Sequence, residues 1–245
     1  MSISTIVFDA YKTLIDIQTD EDRLEVYEFI SSWLSYKGLE IEPQILFKLY
    51  KEKVRQEIAS NTEAYPDIDI GIVFKRIISS IDRTYNFEME MLIEEICLLF
   101  RMLTTKSIRI YPNTVSILEC LSKKFRLAIV SNTQRLFTLP ELKKFHIEEY
   151  FECIVFSSDV KASKPNPKIF KKLLSCMKIQ PDDAIFVGDN MFDDIWGAQR
   201  VGMKTIWINR SGSSNFPSGL EKPIPDKQIS GNFDHDLPNI IFSMI

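Results

Sequence analysis

Ser4-Thr5-Ile6-Val7-Phe8-Asp9-Ala10-Tyr11-Lys12-Thr13-Leu14 runs through three consecutive apolar residues and stops at a carboxylate. Ile6, Val7 and Phe8 suit a short strand buried on both faces of a parallel sheet. In open α/β sheets ligands collect beyond the carboxyl ends of the strands, so Asp9 stands where chemistry is done. A lone aspartate at such a place also reads as a turn or helix-cap residue. The later segments decide between the two.

From about Pro112 onward the chain alternates between strand and helix patterns. Asn113 to Lys124 reads as a helix with Val115, Leu118 and Leu121 inward, and Arg126-Leu127-Ala128-Ile129-Val130 as a strand ending at Ser131-Asn132. A helix near Pro140 to Phe145 follows, then a strand over Cys153 to Phe156, which leads to Lys164-Pro165-Asn166-Pro167. The next helix carries Ile169, Phe170, Leu173, Leu174 and Met177. Ala184-Ile185-Phe186-Val187 is a strand ending at Gly188-Asp189-Asn190, and Lys204 to Ile208 is a final strand. This recurrence predicts right-handed βαβ units and a Rossmann-like parallel sheet, an α/β fold. Residues 210–225 read as a surface loop rich in Gly, Ser and Pro, and Leu237 to Met244 as a short terminal helix.

Between Leu14 and this region the periodicity is helical. Asp20, Glu21 and Asp22 suit a helix start, Leu24, Tyr27, Ile30 and Leu34 form its stripe, and Lys37-Gly38 its stop. Pro43 opens a second helix with Ile45, Leu46, Leu49 and Ile58 inward. Ile72 to Arg83 and Met89 to Leu103 supply two more, after a polar loop over Asn61 to Asp69. The expected organisation is a catalytic core of residues 1–15 and 105–245, interrupted by an all-helical domain over 16–104.

Composition excludes several function classes. At 245 residues with a net charge of −4, the chain carries no basic footprint for nucleic acid or an anionic membrane. No apolar stretch reaches the ~18–20 residues of a membrane span. Cys97, Cys120, Cys153 and Cys176 are widely spaced and read as reduced, buried thiols of a cytoplasmic protein. Neither His146 nor His235 adjoins a candidate nucleophile, which argues against a Ser-His-Asp or Cys-His mechanism. Dinucleotide, P-loop and nucleophile-elbow motifs do not occur.

Four expected strand ends carry polar groups: Asp9 with Thr13, Ser131 with Asn132, the loop bearing Lys164, and Asp189 with Asp193 and Asp194. Singly each reads as a turn, a cap or a solvated lysine. In this order, at one sheet edge, they read as an active site. A carboxylate such as Asp9 can attack an electrophile and form a covalent intermediate that water cleaves. Clustered carboxylates repel unless a cation intervenes, and Mg²⁺ suits carboxylates together with substrate phosphate. Ser131, Asn132 and Lys164 are the expected binders of phosphoryl oxygens.

These residues closely resemble the haloacid dehalogenase-like hydrolase superfamily. The resemblance rests on Phe8-Asp9-Ala10-Tyr11-Lys12-Thr13-Leu14, Val130-Ser131-Asn132-Thr133, Lys164-Pro165-Asn166-Pro167 and Val187-Gly188-Asp189-Asn190-Met191-Phe192-Asp193-Asp194. It implies a Rossmann-like core, a mobile helical cap where 16–104 lies, and an aspartyl-enzyme intermediate. For the family's phosphatases it implies Mg²⁺ held by Asp9, Asp189, Asp194 and the main-chain carbonyl of Tyr11. Phosphatases of the family usually place a second aspartate at position 11 as general acid–base. Tyr11 stands there instead, as in the 2-haloacid dehalogenases, whereas Asp189 keeps the phosphatase pattern. Arg23 and Arg55 are candidates for the cap arginine that dehalogenases use. The leading expectation is a Mg²⁺-dependent phosphatase of a small phosphorylated metabolite, with Asp9, Tyr11, Thr13 and Lys164 as catalytic residues. A dehalogenase, or a catalytically weak binding protein of the same fold, is the alternative. Both monomer and homodimer remain open.

Overall fold

The structure, a computed structural model, describes residues 3–85, 88–210, 216–230 and 236–245. Its centre is a parallel sheet in the order β5-β4-β1-β6-β7-β8. The strands are β1 (Thr5–Phe8), β4 (Arg126–Ser131), β5 (Phe151–Phe156), β6 (Ala184–Gly188), β7 (Lys204–Asn209) and β8 (Lys227–Ser230). Every residue of β1 and β6 is buried, as the continuous apolar runs require of central strands covered on both faces. Register then sets the height of the polar groups. Phe8 pairs with Ile129 on one side and Val187 on the other. Asp9, Ser131 and Asp189 therefore emerge within two residues of one another at the same edge. Neighbouring strands lie only ~4.8 Å apart, so the side chains meet. The chain leaves β1 towards β4 and β5 and later returns to β6 on the other flank. The crevice beside β1 is thus the topological switch point of the sheet.

Helix α5 (Thr114–Ser122) leads into β4, and α6 (Arg135–Lys144), α8 (Pro167–Met177) and α9 (Gly197–Arg200) follow β4, β5 and β6, with a short α7 (Ser157–Val160) before α8. α8 begins as its sequence dictates. Pro167 opens the first turn, the Asn166 side chain accepts from Lys168 N, and Ile169, Phe170, Leu173 and Met177 face the sheet. In α5 it is Ile117 with Leu118 and Leu121 that is buried, while Val115 is exposed. The terminal helix α10 is Leu237–Phe242. Of the loop expected at 210–225, residues 211–215 lie outside the described residues, and β8 follows the remainder.

Between β1 and β4, helices α1 (Leu24–Tyr36), α2 (Pro43–Ser60), α3 (Ile70–Ile81) and α4 (Met89–Thr104) pack around their own cluster, including Ile30, Leu46, Phe74, Ile96 and Phe100. The expected phase of α2 is off by one position. Leu46 and Tyr50 are buried one turn apart, leaving Ile45 and Ile58 exposed. The insert is also not helical throughout. β2 (Ile15–Thr19) and β3 (Thr105–Ile110) form an antiparallel ribbon that carries the chain out of the core and back. Among the described residues no helix is long and apolar enough to cross a membrane.

The cysteine reading needs correction. Cys153 on β5 and Cys176 on α8 are joined in a disulfide, because α8 packs across β5. Cys97 is a buried free thiol, and Cys120 is free and exposed.

Candidate active site

Asp9 lies one residue beyond β1, 7% exposed, and its amide donates to Val187 O at 3.0 Å. Its Oδ1 accepts from Ser131 Oγ at 2.9 Å and from Lys164 Nζ at 2.6 Å. The same ammonium donates to Asp194 Oδ1 at 2.6 Å and to Val130 O at 2.9 Å. Lys164 is thus a fully hydrogen-bonded buried cation. Burial alone would lower its pKa, but Asp194 and Asp9 together hold it above the ordinary lysine value.

Asp9, Asp189 and Asp194 each offer a carboxylate oxygen within 4.8 Å of the others. Three carboxylates therefore face one ammonium, and the site carries an excess of negative charge. Burial, reinforced by Asp9, pushes the Asp189 carboxyl up to about 6. Burial also pushes Asp194 well above the usual carboxylate range, with Asp9 and Asp189 adding repulsion that Lys164 only partly offsets. An all-oxygen set with uncompensated charge is what a hard divalent cation fits.

The loop after β6 is built to bring Asp194 in. Asn190 caps the following turn by accepting from Phe192 N and Asp193 N, and its own amide donates to Asp194 Oδ2 at 2.9 Å. A Cβ on Gly188 would lie 2.3 Å from Asp194 Oδ2, so only glycine permits this approach. Trp207 Nε1 fixes the Asp189 carbonyl at 2.8 Å.

The other expected residues divide. Thr13 is buried, and its Oγ1 has no hydrogen-bond partner among the described residues. An orphan buried hydroxyl is costly unless a ligand oxygen completes it. Asn132 is occupied elsewhere. Its Oδ1 accepts from Lys164 N at 2.6 Å and its Nδ2 donates to Lys164 O at 3.1 Å, so it positions the lysine through its backbone. The Tyr11 hydroxyl is bonded to Glu141, Thr138 and Arg101. Burial first, then Glu141, raise its pKa above that of a free phenol despite Arg101. Arg23 donates to the Leu103 carbonyl and Arg55 to Lys51 O within its own helix.

Three contributors escaped the sequence reading. Arg101 reaches position 11 from α4. Gln134 grips the insert by accepting from Ile70 N at 2.9 Å and donating to Ile68 O at 3.0 Å. Arg210 donates to the carbonyls of Lys12 and Thr13 at 2.9 and 3.0 Å, pinning a turn in which Lys12 adopts φ +61°. Each is a single polar residue in an unremarkable local pattern, and only tertiary folding gives it a partner.

Residues 6–208 match the family described as haloacid dehalogenase-like hydrolase. The chain belongs to that family. It is an enzyme, a hydrolase. N-acylneuraminate-9-phosphatase of Rattus norvegicus is 26% identical over 99% of this chain and 95% of its own. Glyceraldehyde 3-phosphate phosphatase of Pyrococcus abyssi is 36% identical over a segment covering 34% of this chain and 35% of that enzyme. The match thus spans about a third of that relative's length. Among solved structures, 2-haloacid dehalogenase from Pseudomonas syringae pv. Tomato superposes with a TM-score of 0.68 at 23% identity, covering 99% of this chain and 100% of that one, which shows the shared fold.

Any cation held by the carboxylate cluster would bind in a pH-dependent way. Between the unfolded value of 3.8 and about 6, the folded protein holds more protons at Asp189 than the unfolded chain does. Metal-free stability should therefore decline as pH rises through that window. A divalent cation must displace those protons at the acid end. Mg²⁺ at millimolar concentration is expected to raise Tm clearly at pH 7.5 and by less than half as much at pH 5. Calorimetry at the two pH values checks this, and an equal or larger shift at pH 5 counts against the cluster as the binding site.

Proposed function

We propose that this chain is a Mg²⁺-dependent phosphohydrolase acting on a small phosphorylated metabolite through a covalent aspartyl intermediate. The observation that carries this reading is the meeting of the Asp9, Asp189 and Asp194 carboxylates, two of them, Asp9 and Asp194, paired with Lys164. Asp9, Asp189 and Asp194, with the main-chain carbonyl of Tyr11, would hold the ion. When bound, Mg²⁺ supplies positive charge that lets an anionic nucleophile meet an anionic phosphate.

The chain's own residues do the rest. The Asp9 carboxylate attacks phosphorus, the bond to the leaving oxygen breaks, and water later cleaves the acyl phosphate to regenerate Asp9. Lys164 and Ser131 orient the attacking carboxylate, the lysine adding positive charge beside the phosphoryl group, and the unpartnered Thr13 hydroxyl is the donor left to bind a phosphoryl oxygen. The N-acylneuraminate-9-phosphatase likeness over nearly the whole chain supports a phosphate ester as substrate.

In this reading the helical insert over 16–104 is a cap. Its loop from Asn61 to Asp69 lies along the segment bearing Lys164. Ser163 N donates to Tyr65 O at 2.9 Å, Asn166 Nδ2 to Glu63 Oε2 at 2.9 Å, and Lys168 Nζ to Glu63 Oε1 at 2.7 Å. That loop is where substrate selection would arise.

Tyr11 favours the second reading, a 2-haloacid dehalogenase in which Asp9 attacks a halogen-bearing carbon. The Arg101 guanidinium near Tyr11 argues against it, because Glu141 already neutralises that charge. One screen separates the two: a panel of phosphomonoesters and small 2-haloacids, each with Mg²⁺ and with chelator. Phosphate release that needs the metal is expected. Halide release indifferent to chelator would replace the proposal with its rival.

A further inference from the structure

Side chains from two helices, α4 and α6, converge on the Tyr11 hydroxyl. Arg101, on α4 of the insert, donates from Nη2 to Tyr11 Oη at 2.7 Å and from Nε to Glu141 Oε1 at 2.7 Å. A second, longer bond runs from its Nη2 to Glu141 Oε2 at 3.3 Å. Tyr11 donates to Glu141 Oε2, and its oxygen lies 3.0 Å from Thr138 Oγ1. Thr138 is in turn 2.6 Å from Thr133 Oγ1, two residues past Ser131. The guanidinium also lies over the rings of Tyr11 and Phe137, at 5.3 and 5.1 Å. The Arg101 and Glu141 side chains are only 14% and 12% exposed.

We propose that Arg101, Glu141 and Tyr11 form a latch that fastens the helical insert to the core beside the nucleophile, with Tyr11 acting as a positioning residue and not as an acid–base. The hydroxyl proton of Tyr11 is committed to Glu141, and its lone pairs receive Arg101 and Thr138. It has no free proton to trade with a substrate in this closed arrangement. Its ring and hydroxyl instead complete the binding site for the guanidinium.

The latch crosses the boundary between insert and core. Arg101 belongs to one side, and Glu141 with Tyr11 to the other. Opening the insert on this edge requires the planar, forked Arg–carboxylate pair to separate. A partly buried cation held this way strongly favours one separation and one angle. Tyr11 is two residues from Asp9, in the turn that Leu14 N and Ile15 N close on the Ala10 carbonyl. Closure of the insert and the setting of the nucleophile's turn therefore share one residue. On the same flank, Gln134 and the apolar contacts of Leu136 and Phe137 with the insert's cluster extend the fastening along α6.

The inference rests on the hydrolase reading for its purpose but is tested without any substrate. Hydrogen–deuterium exchange is measured on the whole 245-residue chain in metal-free buffer. The probes are segments 61–69 and 134–141, with β4 and β6 as internal references for global unfolding. Glu141→Gln and Arg101→Gln are each expected to speed exchange in the two probe segments at least fivefold, and the double variant to add nothing further. Unchanged exchange in the single variants, or effects that multiply in the double, would overturn the latch. If either charge variant also loses protection in β4 and β6, Tyr11→Phe decides, since it removes one hydroxyl and keeps the ring. Faster exchange confined to the probe segments supports the latch, and wild-type exchange ends it.

Once a turned-over substrate is in hand, Tyr11→Phe gives a second readout. A positioning role raises KM while kcat stays within about threefold. A fall in kcat on the order of 10²-fold or more, the range expected of a lost general acid, overturns the assignment. Exchange and kinetics fail independently, so a chain that hydrolyses nothing in the panel can still show the latch.

Discussion

Asp9→Asn is expected to lower metal-dependent phosphate release by about 10⁴-fold or more, the scale seen when a covalent nucleophile is removed. The substitution is nearly isosteric. An asparagine carbonyl at this place can still accept from Ser131 Oγ and Lys164 Nζ, so the geometry at the end of β1 survives. What disappears is the carboxylate that bonds to phosphorus. It also removes one of three clustered negative charges, relieving the repulsion that raises Asp189 and Asp194. The variant should therefore be at least as stable as the wild type in metal-free buffer. Loss of turnover without loss of stability identifies a chemical role, whereas parallel loss of both identifies a structural one. Phosphate release within tenfold of wild type would place the nucleophile elsewhere. Because a dehalogenase would need the same carboxylate, this variant tests the nucleophile and leaves the electrophile to the substrate screen.

The legible parts of the molecule were those written as short-range pattern. Ile6-Val7-Phe8, Leu127 to Val130 and Ala184 to Val187 are apolar runs ending in polar residues, and each proves to be a strand of the parallel sheet. Asp9 and Ser131 stand at strand ends, where a polar residue closing an apolar run has few other reasons to be, whereas Asp194 stands in the helical turn that Asn190 caps beyond β6. The ribbon of β2 and β3 was not read, although Ile15-Asp16-Ile17 alternates. Two short, half-exposed strands give a weak signal beside the strong helical periodicity that follows. β8 has one buried residue, Ile229, and forms only because the edge of β7 is open to it. Arg101 was hidden for a different reason. Its neighbours define an apolar helix, and one arginine on such a helix reads as solvated. Its partner Glu141 is 40 residues away on another helix, a pairing that no local pattern encodes. Asn132 shows the converse case. A turn residue beside Ser131 invites a ligand-binding role, yet its amide holds the backbone of Lys164.

Lys164→Met tests the electrostatic argument on which the site depends. The substitution keeps a long flexible side chain but deletes the ammonium shared by Asp9 and Asp194. Breaking a buried ion pair by removing one partner typically costs ~3–5 kcal/mol, because the remaining charge is left without compensation. A loss of that size is expected for the metal-free protein in urea unfolding at pH 7.5. The sign of its pH dependence follows from the carboxylates. Their folded pKa values, already raised, rise further without the lysine, so the folded variant takes up more protons than its unfolded form as pH falls. The deficit relative to wild type should therefore shrink on acidification towards pH 5, and Mg²⁺ should restore part of it at pH 7.5. Lys168→Met is the control. Lys168 pairs with Glu63 at 2.7 Å, but its side chain is 49% exposed, and solvent-screened pairs of this kind contribute little to stability. Equal effects of the two substitutions, or a Lys164→Met deficit that grows as pH falls, would mean that the buried carboxylates are not held in the charged state by this lysine. The case for a cation site built from Asp9, Asp189 and Asp194 would then lose its physical basis.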